Sequence, residues 1–256
     1  MITLDRPDIK PFWSNCKDSL RHAGEHFSEL SMTNKQKNPQ EHIHHSKWVV
    51  LSVAHAADYY LRIFLKELEP SCHFLNNPEN GPSLSKTITH LKNKHGKDLQ
   101  GSRERIIEVI DEVNKQRDKI MHRYLPEDLT EAVSDAAWAF FGLLRSIRTE
   151  YKINTDTIVD YSPSIETDSF SLIMRSKHQD FMNYVVQSLA ESPGPEDLDY
   201  CPLCGTLSVL EGNCEICFQG FRETECEQCG EQYYVPDDSV LAHHLGLDVC
   251  SCGAIL

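Results

Sequence analysis

Through the first 150 positions, apolar residues recur three and four apart, with polar residues between them. That spacing lines up one stripe of an α-helix. Five such segments are predicted. The first spans 13–32, with Leu20, Phe27 and Leu30 on its apolar side. The second opens at Pro39 and runs to about Leu68, with core positions Val49, Val53, Ala56, Tyr60 and Ile63, widened by Val50, Ala57, Leu61 and Phe64. Its polar residues Ser52, His55, Asp58, Arg62, Lys66 and Glu69 share the same period and read as a solvated face. A third helix covers about 83–94 and ends at Gly96. A fourth starts at Ser102 and stops before Pro126. The fifth, about 127–152, carries Ala132, Ala136, Ala139, Phe140, Leu143, Leu144 and Ile147. Short connections between five helices predict an antiparallel bundle over 1–152.

The pattern then changes. Residues 153–197 are rich in Ser, Thr, Asp and Pro and read as a linker, with one amphipathic helix at about 176–190. From 198 to 256 no helical period survives. Short β-prone runs, Leu207 to Leu210 and Gln232 to Val235, alternate with Gly and Cys instead. The predicted fold is mainly α: a helical bundle followed by a small β-hairpin module.

Charge divides along the same line. Up to residue 125 there are 19 Lys and Arg against 16 Asp and Glu; beyond it there are 6 against 23. Phosphate binding needs cations, so nucleic-acid chemistry is expected in the N-terminal half. The N-terminus lacks the apolar core of a secretory signal, and no apolar run approaches a membrane span. A cytoplasmic protein without membrane contact is expected.

Eight of the ten cysteines fall in the last 56 residues, as four close pairs: Cys201/Cys204, Cys214/Cys217, Cys226/Cys229 and Cys250/Cys252. A turn with two residues between cysteines points both thiolates at one ion, and two such turns complete a tetrahedron around zinc. Gly205, Gly230 and Gly253 follow three of the pairs, where a tight knuckle needs a permissive backbone. Eight ligands predict two structural Zn²⁺ per chain. Sequential pairing puts Cys201, Cys204, Cys214 and Cys217 on one ion and Cys226, Cys229, Cys250 and Cys252 on the other; a cross-braced pairing has the same spacing. His243 and His244 are not needed as ligands. The module resembles tandem zinc ribbons. With Arg222 as its one Lys or Arg, it is expected to contact protein and not phosphate. Cys16 and Cys72 stand alone and read as inert thiols.

The chemistry in the bundle centres on Arg117-Asp118-Lys119-Ile120-Met121-His122-Arg123-Tyr124, late in the fourth helix. Ile106, Ile110, Val113, Ile120 and Tyr124 form its apolar stripe, and Arg117 falls on that stripe. A guanidinium cannot shed its charge, so it needs a partner charge, an open groove or a subunit boundary. Asp118 and His122 are four apart and share a face, so the carboxylate is placed to hold the imidazole. A second Arg-x4-His, Arg21 to His26, contains Gly24, lacks the trailing Tyr and reads as a chance match.

Arg, a polar residue, three more positions, His and then Tyr two positions on resembles the motif of HEPN domains. The form with Tyr is similar to that of toxins in HEPN–nucleotidyltransferase toxin–antitoxin pairs. The resemblance covers about residues 12–150. It implies a homodimer whose motif helices meet at the two-fold axis, and an endoribonuclease that works without a catalytic metal. His122 would be the general acid or base on the ribose 2′-OH and leaving oxygen, Arg117 the phosphate clamp and Asp118 the orienting group for His122. Tyr124 would be the site at which a nucleotidyltransferase antitoxin adds AMP. The expected function is therefore a HEPN-type ribonuclease cutting RNA, as a toxin or phage-defence effector. The alternative is a catalytically silent HEPN and zinc-ribbon adaptor that binds a protein or nucleotide.

Overall fold

The computed structural model describes residues 4–33, 35–72, 75, 82–97, 99, 102–122, 129–153, 158, 199–201, 207–210, 212–214, 220–236, 242–243 and 248–255. The chain divides into two compact units, Met1–Phe181 and Met182–Leu256. The helix expected at about 176–190 lies outside the described residues.

The first unit is a bundle of five helices: α1 (Lys10–Met32), α2 (Pro39–Leu68), α3 (Leu84–His95), α4 (Ser102–His122) and α5 (Thr130–Tyr151). Pro11 and Pro39 sit in the first turns of α1 and α2, where a missing N–H costs no intrahelical bond. Glu41 in the first turn of α2 and Lys66 in its last suit the helix dipole. The apolar stripes read from the sequence are buried on α1, α2 and α5, as Leu20 and Phe27 on α1 illustrate; on α4 Ile106, Ile110 and Val113 are buried, whereas Ile120 is only half-buried and Tyr124 lies outside the described residues.

α5 is more deeply placed than an amphipathic helix. Ala136, Ala137, Trp138, Ala139, Phe140, Phe141, Leu143 and Leu144 are all buried, so the helix is covered on every side. It packs against α2 and α4, and the Phe140 ring meets Phe27 of α1 at 5.2 Å between centroids. Gly142 makes the α4 approach possible. A Cβ there would stand 3.2 Å from the Ile106 side chain and 3.0 Å from Trp138.

The polar stripe of α2 faces solvent only in part: His55 is exposed, and Asp58, Arg62 and Glu69 are half-buried. Ser52 and Lys66 are buried, and α3 and α4 both pack on α2. Arg62 is satisfied there by Asp58, with Nε at 3.1 Å and Nη2 at 2.8 Å from one carboxylate oxygen, and by the Pro82 carbonyl at 2.7 Å. Between α3 and α4, the buried Asn114 amide donates to Ser85 Oγ at 2.8 Å.

Where α1 runs beside the start of α2, four histidines and a tryptophan crowd together. His26 Nδ1 and His45 Nδ1 are 2.9 Å apart, and Trp48 stacks on the His26 ring at 5.9 Å. One nitrogen of the pair must donate and the other accept, so at least one ring has to stay neutral. Burial, reinforced by His22, His45 and His44 and opposed by Glu25, pulls the His26 pKa down from 6.5 to about 4. The unfolded chain therefore takes up this proton first. The His26 contribution is complete above pH 6.5 and is lost as pH falls toward 4. Melting temperature is expected to drop across that window in the wild type and to drop less in His26→Gln. Parallel decline in the two proteins would refute the assignment.

The second unit holds β1 (Asp199–Tyr200), β2 (Leu207–Leu210), β3 (Asn213–Cys214), β4 (Phe221–Glu225) and β5 (Gln232–Pro236). β1, β2 and β3 form an antiparallel sheet in that order; β4 and β5 form a separate hairpin with Glu225 opposite Gln232. The Tyr234 hydroxyl on β5 donates to Asp199 on β1 at 2.8 Å, tying hairpin to sheet. Among the described residues, no helix is long and apolar enough to cross a membrane.

Candidate functional site

The chain from Cys226 to Glu231 closes the β4–β5 hairpin as a tight knuckle. Cys226 N–H donates to Glu231 O at 2.9 Å, and Gly230 N–H donates to Cys226 O at 2.8 Å. Gly230 takes φ +69°, a left-handed conformation that glycine adopts without a Cβ clash. A second knuckle repeats the device at Cys250 to Ala254. Gly253 N–H donates to Cys250 O at 2.8 Å, Cys250 N–H to Ala254 O at 2.7 Å, and Gly253 has φ +90°.

The two knuckles aim four sulfurs at one point. The Sγ atoms of Cys226, Cys229, Cys250 and Cys252 all lie within 4.8 Å of one another. Cys226 to Cys252 is 3.6 Å and Cys229 to Cys250 is 3.4 Å. Zinc–sulfur bonds of about 2.3 Å in a tetrahedron separate sulfurs by about 3.8 Å. A disulfide would bring them to about 2.05 Å. The residues fit a four-thiolate zinc site and not a pair of disulfides. Cys226 and Cys250 are buried, and Cys229 and Cys252 lie at the surface.

Polar groups support the cluster from outside. The Tyr233 hydroxyl donates to Glu231 at 2.5 Å and stands 3.2 Å from Cys250 Sγ. Ser251 Oγ donates to the same Glu231 oxygen at 2.9 Å, and Ser251 N–H donates to the Tyr233 oxygen at 3.2 Å. Within the metal-free cluster the contacts pull the Cys250 thiol down and push Cys229 up, so the four sulfurs share their protons unequally. These supporting partners were not singled out in the sequence, where Tyr233 read only as a strand residue. Groups of this kind are commonly worth about 10–100-fold in metal affinity. Tyr233→Phe is expected to weaken zinc retention by that order in a competition with a chromogenic chelator, with the hairpin still folded. Unchanged competition would rule the role out.

Of the other four cysteines, Cys201 and Cys214 are described and both are buried. Cys201 follows β1 and Cys214 lies on β3, the strands flanking β2. Cys204 and Cys217 lie outside the described residues. His243 Nδ1 lies 2.9 Å from an Asp248 carboxylate oxygen, apart from the four-cysteine cluster.

In the bundle, α4 ends at His122. Burial along it stops at Asn114; no residue from Lys115 to His122 is buried, and Met121 is 60% exposed. The partner that Arg117 needs is its neighbour. Arg117 Nε and Nη2 donate to Asp118 Oδ1 at 3.1 and 2.7 Å, with the Arg117 side chain 23% exposed. His122 is exposed, and among the described residues it makes no hydrogen bond, to Asp118 or otherwise. Arg117 and Asp118 are thus brought together, and His122 stands apart from that pair. Tyr124 lies outside the described residues.

One further residue joins this end of the bundle. His55 on α2 is exposed at the surface, yet enough protein surrounds its ring to hold its pKa below the ordinary histidine value. Desolvation is the main cause and the nearby Arg117 charge the second, with Asp58 opposing both. The sequence placed His55 on the polar stripe of α2 but carried no sign that this stripe faces Arg117. Arg21, of the second Arg-x4-His, pairs instead with Asp18 at the surface, at 3.1 Å.

In comparisons with protein-family models, characterised proteins and solved structures, nothing matches this chain, so its sites stand on their own residues.

Proposed function

We propose that the chain is a metal-independent endoribonuclease of HEPN type, carried with a tandem zinc-ribbon tail that holds two structural Zn²⁺. The observation that carries the reading is the end of α4. A half-buried Arg117 held by Asp118 lies where His55 feels its charge, five residues before an exposed His122. In the reaction, the imidazole of His122 takes the ribose 2′-OH proton. The 2′ oxygen attacks the phosphate, the P–O5′ bond breaks, and the 5′ oxygen leaves with the proton that the His122 imidazolium gives back. Arg117 stabilises the charge that builds on the phosphate oxygens.

Five residues along one helix place Arg117 and His122 about 140° apart, so one helix cannot aim both at a single atom. A homodimer solves this, with each α4 supplying groups to a shared groove. The unburied last turns of α4, with Met121 exposed, suit such an interface. The biological setting that fits is a toxin or phage-defence effector, restrained by AMP addition to Tyr124 from a partner nucleotidyltransferase or by a protein held on the ribbons.

One observation favours the silent-adaptor reading. Arg117 already has its carboxylate, and His122 has no orienting partner within the described chain. The deciding experiment is incubation of the whole protein with total RNA in EDTA, wild type beside His122→Ala. Cleavage by the wild type alone, leaving 2′,3′-cyclic phosphate ends, supports the enzyme. No cleavage by either supports the adaptor.

A further inference from the structure

We propose that Glu69, Cys72 and His90, with His95 close beside Glu69, form a binding site in the bundle for one divalent transition-metal ion of the zinc class. The site is separate from the cysteines of the tail and independent of the ribonuclease reading. One carboxylate oxygen, Cys72 Sγ and one ring nitrogen of His90 all lie within 4.8 Å of one another. Glu69 Oε2 is 3.2 Å from His90 Nε2 and 3.7 Å from His95 Nε2. Nitrogen and oxygen donors at about 2.0–2.2 Å in a tetrahedral zinc site stand about 3.3–3.6 Å apart. The observed spacing already approaches that figure.

The backbone places these groups. Glu69 is the C-cap of α2, its N–H bonded to Leu65 O at 2.8 Å. Pro70 and Ser71 then turn the chain, and Cys72 N–H donates to Glu69 O at 2.9 Å. Glu69 and Cys72 therefore share the two-residue spacing that aims two donors at one ion in a cysteine knuckle. His90 and His95 come from the last turns of α3. Two helix C-termini thus converge here, and their exposed carbonyls favour a cation.

Lys94 supplies a positive charge on the far side of the same carboxylate, with Nζ 2.5 Å from Glu69 Oε1. A carboxylate is ionised at neutral pH, so Glu69 offers an anionic oxygen to an ion without losing a proton. Cys72 is 1% exposed, whereas the His90 and Glu69 side chains are 26% and 24% exposed, which leaves an entry path from solvent. Sulfur, imidazole and carboxylate together select zinc, cobalt or nickel over calcium or magnesium. Binding releases the Cys72 thiol proton to solvent. The bound ion would pin the end of α2 to the end of α3.

The test uses the whole chain, stripped of metal, reloaded with Zn²⁺, dialysed against a weak chelator and assayed for zinc per chain. Cys72→Ser and His90→Gln are each expected to retain one equivalent fewer than wild type. Cys226→Ser, at the tail, is expected to lose a separate equivalent that adds to the first in a double variant. Equal zinc in wild type, Cys72→Ser and His90→Gln overturns the proposal. Because Cys72 is buried, circular dichroism accompanies the count. Should Cys72→Ser lose helix, the half-exposed His90→Gln decides alone.

Discussion

His122→Ala is expected to lower RNA cleavage by about 10²–10⁴-fold, the usual cost of losing a general acid–base group. Folding and dimerisation are expected to survive, because His122 is exposed. Arg117→Ala is expected to lose activity too, and it also releases the Asp118 carboxylate from its ion pair. Asp118→Asn separates two roles for that carboxylate. If its task is to hold Arg117, the amide still accepts a hydrogen bond and activity falls modestly. If its task is to stabilise a protonated His122, the pH–rate profile shifts. Arg21→Ala is the internal control, since Arg21 is exposed and pairs with Asp18 at the surface. Primer extension on total RNA and mass analysis of the cleaved ends read all four. Cleavage by His122→Ala at the wild-type rate would sink the proposed chemistry.

Stripping zinc is expected to unfold the C-terminal module while α1–α5 keep their helical signal. Among the module's described residues the buried apolar ones outside the cysteines are Val209, Phe221, Val235, Pro236 and Ala242, a small core. Structural zinc contributes about 10–16 kcal/mol in small zinc peptides, far more than hairpins of five residues supply. The bundle rests on buried α2 and α5 instead. The measurement is proteolysis and helical circular dichroism, before and after a strong chelator, with zinc counted in the released fraction. Two ions per chain are expected from the tail. Resistance of residues 199–255 to protease after complete zinc removal would contradict a metal-held module.

Much of the architecture is written in local patterns. Helix periods, the prolines in first turns and the glycine knuckles each act within a few residues, so α1 to α5 and the strands β2 and β5 are legible without tertiary information. That these cysteines hold metal follows as well, because paired thiols at that spacing suit few other tasks; that Cys226, Cys229, Cys250 and Cys252 share one site does not, since a cross-braced pairing has the same spacing, and the meeting of the two knuckles decides it.

What the sequence could not decide were contacts between elements. Arg117 on an apolar stripe announced a need for a partner, but not that the neighbouring Asp118 would meet it. Adjacent residues point to different helix faces, and only a long guanidinium reaches round. The polar stripe of α2 looked solvated because polarity does not encode which helix will cover it. Packing by α3 and α4 half-covers it, leaving the Asp58–Arg62 ion pair partly buried and His55 near the charge of Arg117. Cys72 read as an inert thiol for the same reason. His90 lies 18 positions away, and only the packing of α3 on α2 brings its imidazole beside the thiol and Glu69. Periodicity is a property of single helices; sites built from several are settled by how the helices pack.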